Sequence, residues 1–192
     1  MKKGDKQKAI QYYTKERWDN WVSRVKESNF KIEEEGDTNT AVFVSMMDDV
    51  VLACLKVVHG HKKKKVSADD ALHAISSISE IVLGEVAPIN DDTDMMIRSL
   101  QSSLICALAS CEYNIQGTYD KKTSLIKLIK SAIEIEGDNQ EQALEYLSMV
   151  GARVLGGKPM PEILFDVPDG LVAEWLDGVD SIDAAITFSN DD

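Results

Sequence analysis

From Pro161 to Asp192 the sequence contains nine acids and not one base. It also lacks an apolar run long enough for a bilayer. The longest apolar region, 41–58, is broken by Asp48, Asp49 and Lys56, whereas a membrane helix needs about 20 nearly uncharged residues. The opening MKKGDKQKAIQYYTKERW has no apolar stretch, so no secretory signal is expected there. Cysteine is scarce and odd in number. Cys54, Cys106 and Cys111 each fall within apolar helical patterns, as buried free thiols in a reducing, cytoplasmic setting would. No Gly-rich phosphate loop, nucleophile elbow or Cys-x-x-Cys occurs, and no Glu-x-x-His pair that a carboxylate-bridged iron site would need.

What is present is strongly asymmetric in charge. The formal net charge is −12, yet residues 1–65 carry 14 Lys and Arg against 10 Asp and Glu, while the remainder carries 7 against 23. A chain this acidic repels phosphate backbones, so nucleic-acid binding is not expected, even with the run Lys62–Lys65. With 44% apolar and 28% charged residues, the composition is that of a globular protein with a core.

Apolar residues recur at the helical period almost throughout, and no alternating strand pattern appears. Thr14 caps a first helix whose Trp18, Trp21, Val22 and Val25 share a face, although Arg17 stands where a capping box would place an acid. The acidic EEEGDTN then forms a loop. A second helix, from about Thr40 to His59, is apolar over most of its circumference and is expected to be central. Ser45, Asp48, Asp49, Lys56 and His59 line one narrow polar stripe, joined only by Leu52, and Gly60 supplies the stop. Ser67 and Asp70 open a third helix. Further helices begin within NDDTDMM, after Asp120 and at Asp138, ending at Gly117, Gly137 and Gly156–Gly157. The expectation is an all-α bundle of about six helices over residues 1–157, followed at 158–192 by a Pro-containing acidic C-terminal appendage. Pro159, Pro161 and Pro168 prevent that appendage from extending the sixth helix. Its last part, broken by Gly178, keeps an apolar stripe. Leu171, Trp175, Leu176 and Val179 therefore form a candidate partner-binding set, able to dock on the bundle or on another chain.

The chemical candidates are few. His59, His61 and His73 diverge, and lysines between them would repel a dication, so no metal and no cofactor is expected. NDDTD lacks the glycine and closing glutamate of a calcium loop. Asp48 and Asp49 are the exception: an acid pair on a largely buried helix is either ion-paired and solvated or part of a polar site.

The stretches YYTKERWDNWVSRV and MMDDVVLACLKVV resemble a family of uncharacterised cytosolic proteins of archaea. The resemblance implies a compartment and no mechanism, because the residues that carry it are aromatic and apolar. The favoured reading is a non-enzymatic helical interaction or scaffold protein that engages a protein partner or itself. The alternative is an enzyme or small-ligand binder with a polar site around Asp48 and Asp49.

Overall fold

A computed structural model describes residues 11–32, 40–163 and 165–190, with side chains through Thr187. The acidic stretch 33–39, the basic residues preceding Gln11, and Leu164 lie outside the described residues. Among the described residues there are seven helices and no strand: α1 (Lys15–Glu27), α2 (Ala41–Lys62), α3 (Ala68–Val82), α4 (Asp91–Gln116), α5 (Leu125–Ile135), α6 (Gln140–Leu155) and α7 (Leu171–Asn190).

The first turn of a helix leaves backbone N–H groups without intrahelical partners. Thr14, Ser67, Asn90, Ser124 and Asn139 each accept one from the residue three positions on, at 3.0–3.2 Å. Two starts differ from expectation. Asn139 rather than Asp138 caps α6. Ser124 caps α5, while Asp120 accepts the N–H groups of Lys122 and Thr123 in the preceding turn. Asp94 accepts the N–H of Ile89, so part of the NDDTD stretch is used up in starting α4.

Gly117 and Gly157 adopt the left-handed conformation in which helices end, but Gly60 does not. α2 runs on to Lys62, and Lys64 takes the left-handed position instead, with φ 57°. Gly60 is bare for another reason. A Cβ there would stand 3.1 Å from Val66 Cγ2 and 3.6 Å from the Tyr12 hydroxyl, where the chain doubles back over the helix.

α2, expected to be central, packs against α1, α3, α4 and α7, and α4 is its equal at the centre of the bundle. α4 packs against α2, α3, α6 and α7, and α2 leaves Val44 and Leu52 exposed on one side. Two crossings bring α4 very near its neighbours. A Cβ on Gly151 of α6 would fall 2.1 Å from Ser110 Oγ, and one on Gly178 of α7 would fall 2.1 Å from the Ser103 carbonyl oxygen. Gly178 therefore does not interrupt its helix; it is the contact point that lets α7 lie on α4.

That contact corrects the reading of residues 158–192 as an appendage apart from the bundle. The prolines turn the chain between α6 and α7, and α7 then packs on α4, α6 and α2 as a seventh bundle helix. Met160, Ile163, Phe165 and Val167 of the connection lie against the core, with the Lys130 ammonium 5.0 Å from the Phe165 ring centroid. Glu136, at the end of α5, accepts the N–H groups of Leu171 (2.5 Å) and Val172 (3.3 Å), so a carboxylate from elsewhere starts α7. Gly170 leaves the space it needs: a Cβ there would be 2.6 Å from Glu136 Oε1. The acidity that suggested an outlier sits on the outer side of α7, where Asp177 and Asp180 are exposed.

Candidate functional site

Adjacent residues on a helix point about 100° apart, and this separates the two acids of α2. Asp48 is exposed. Asp49 is turned under α1, where it accepts from Arg17 Nε (2.7 Å) and Trp21 Nε1 (2.8 Å) on one oxygen and from Arg17 Nη2 on the other. The Arg17 guanidinium also lies 5.2 Å from the Tyr13 ring centroid, and Arg24 covers the Trp21 ring at 4.8 Å. Burial pushes the Asp49 carboxyl up, but the hydrogen bonds from Arg17 and Trp21 and the Arg17 charge outweigh it and hold the carboxyl below its ordinary range. Burial, then the Asp49 charge, pushes the neighbouring Tyr13 hydroxyl up. Arg17, at the position where a capping box would hold an acid, has thus become the clasp between α1 and α2.

Both Asp49 oxygens thus accept hydrogen bonds from groups of its own chain. Replacing Asp49 by Asn should loosen α1, at about 1–2 kcal/mol for a charged hydrogen-bonded pair that is partly exposed. The effect should depend on pH with a definite sign. A carboxyl whose folded-state pKa is depressed stabilises the fold above its unfolded value, about 3.9 for Asp, and that contribution disappears as pH falls through the folded value. Denaturant midpoints of wild type and Asp49→Asn should therefore differ most near neutral pH and converge below about pH 4. A gap that stays constant to lower pH would show that Asp49 acts by packing alone.

The remaining candidates separate as well. His59 and His73 are exposed, and His61 Nδ1 lies 3.2 Å from the Val66 carbonyl. Among the described residues no group of three or more His, Cys, Asp or Glu is placed to hold a metal ion. The three thiols are buried and free. Burial raises Cys106 to about 12 against hydrogen bonds with Ser110 and Ser148 that lower it, and contact with Cys54 together with burial raises Cys111 well above the usual thiol range. Neither is poised as a thiolate nucleophile. Of the candidate partner-binding set, Trp175, Leu176 and Val179 are buried within the bundle and Leu171 is half-buried, so these residues are occupied by their own chain.

Two of the surface hollows are lined by described residues. The larger, about 640 Å³, lies beside the α4–α5 connection between Tyr113, Tyr119, Lys121 and Glu145. It lies beside a tied loop: Tyr119 Oη and Asn114 Nδ2 both donate to the Ala152 carbonyl, and Arg153 donates to the Thr123 carbonyl. The smaller, about 470 Å³, runs along α2 between Leu52, Leu55 and Val58, closed by Leu155 at the end of α6 and Ile186 of α7. Lys56, His59 and Lys62 edge it, and among the described residues no acid lines it. Lys62 is anchored through Nζ to the Leu155 carbonyl, and burial lowers its pKa. The groove continues the open side of α2, where Val44 is 55% and Leu52 42% exposed. Leu52 was visible in the sequence as the one apolar residue on the polar stripe; the residues from α6 and α7 that complete the groove were not.

Residues 11–192 match the model of a family described as an uncharacterized protein conserved in archaea, DUF2150. The chain belongs to the DUF2150 family. The match covers all seven helices, so the clasp and the groove both lie inside the family's extent. The family is one of unknown function. No curated protein and no solved structure matches the chain. Among the described residues no helix is long and apolar enough to cross a membrane.

Proposed function

We propose that this DUF2150 chain is a non-enzymatic helical interaction protein, and that its contact surface is the open side of α2 rather than α7. The observation that carries this reading is the groove of Leu52, Leu55, Val58 and Ile186, continued by exposed Val44. Val44 and Leu52 on α2 are exposed and Leu55 and Ile186 are half-buried, with buried Val58 beneath them, and apolar side chains left partly in water beside a groove mark a contact surface. The polar residues that could have formed an active site favour the same reading, since Asp49 is tied to Arg17 and Trp21, and Asp48 points elsewhere. The overall acidity of the chain argues against nucleic acid as the partner.

Leu52→Asp tests the reading in extracts of the source organism. Leu52 is exposed, so the variant should keep the wild-type thermal midpoint within about 0.5 kcal/mol of stability. By size-exclusion chromatography, the wild-type chain should elute in a species larger than its purified form, and the variant should not. Identical elution of the two in extract would remove the basis for assigning a contact role to α2.

A further inference from the structure

The groove has a chemistry that specifies its occupant. Its floor is apolar, from Leu52, Leu55, Val58, Leu155 and Ile186, and among the described residues the polar side chains that line it are Lys56, His59 and Lys62, with exposed Asp48 one turn beyond Leu52. The basic edge stands out in a chain whose net charge is −12. Among the described residues the ion pairs are Lys15–Asp19 and Arg17–Asp49, so no described acid pairs with Lys56, His59 or Lys62. From Leu52 to Lys62 the lining runs about 15 Å along α2, nearly three helical turns. An elongated apolar trough beside a helix accepts a second helix, with anchors at i, i+3 or i+4, and i+7.

Resting on the interaction reading above, we infer that the groove binds an acidic amphipathic helix of another protein, about three turns long. Its apolar stripe would lie on Leu52, Leu55, Val58 and Ile186, and its flanking carboxylates would meet Lys56, His59 and Lys62. Charge at the edge then selects the partner, while the apolar floor supplies the contact.

The test is a displayed library of three-turn helices with fixed apolar anchors and flanking positions randomised among acidic, basic and neutral residues. Selection on the full chain should enrich acids over bases at those flanks at least tenfold. Lys56→Glu combined with His59→Glu should reverse the preference toward Lys and Arg. Leu52→Asp should weaken the selected helices at least tenfold. Lys62 is left intact because it holds the end of α6. Enrichment without charge preference, or no enrichment, overturns the inference, as does a Leu52-dependent dimer of the purified chain in sedimentation, which would make a second copy the occupant. If Leu52→Asp alters elution in extract but the library shows no acidic bias, the interaction reading stands and the acidic helix falls. If neither responds, both fall.

Discussion

Gly178→Ala should lower the thermal midpoint by roughly 6–12 °C, the equivalent of about 3 kcal/mol in a chain of this size. On an exposed helix the same change would stabilise by about 1 kcal/mol, because alanine is the better helix former. The sign is decided by what lies opposite. The new Cβ would sit 2.1 Å from the Ser103 carbonyl oxygen, 3.0 Å from its carbon and 3.5 Å from the Ala107 nitrogen. All three atoms belong to the backbone of α4, so no rotamer change relieves the overlap, and α7 must move outward along its length. Gly137→Ala is the control. It has negative φ and nothing within 4 Å of the added methyl group, so its midpoint should stay close to wild type.

Trp175→Ala should cost about 3–5 kcal/mol, the range for truncating a buried aromatic side chain. Trp175 is 5% exposed on α7, which is held between α4, α6 and α2. Its indole Nε1 is buried and, among the described residues, has no hydrogen-bond partner. Trp175→Phe should therefore lose less than the smaller ring suggests, because it also removes an unsatisfied donor. Urea titration of the purified chain measures both. The same experiment distinguishes a bundle helix from an exchangeable docking element. An element that served partners would leave the midpoint of the isolated chain nearly unchanged when Trp175 is truncated.

The all-α architecture was legible because it depends on local period and local caps. Thr14, Ser67, Gly117 and Gly157 act within a few residues of themselves, and each does in the structure what its type suggests. The misplaced caps of α5 and α6 were local slips of one to four residues, whereas the larger misreadings involve what approaches from outside the element. Gly60 and Gly178 looked like helix breakers, but each is set by what approaches it, Val66 in one case and Ser103 in the other. The acids and prolines of residues 158–192 suggested separation from the bundle. The apolar stripe of α7, present in the same sequence, was the stronger signal, since burying it outweighs solvating the acids on the opposite face. Asp49 stood out in the sequence as half of an acid pair, but its partner Arg17 is 32 residues away on another helix and no periodicity reveals it. The groove was half visible, through Leu52 on a polar stripe.

On the proposed reading α2, and not the acidic outer face of α7, is the surface that meets a partner. A photo-crosslinking residue placed in turn at Leu52 and at Asp180, both exposed, puts a probe on each surface of the otherwise unchanged chain. Irradiation in extract of the source organism, followed by mass spectrometry of the adducts, should give discrete protein adducts from position 52 and none above background from position 180. Adducts from position 180 alone, or equally from both positions, would contradict the account.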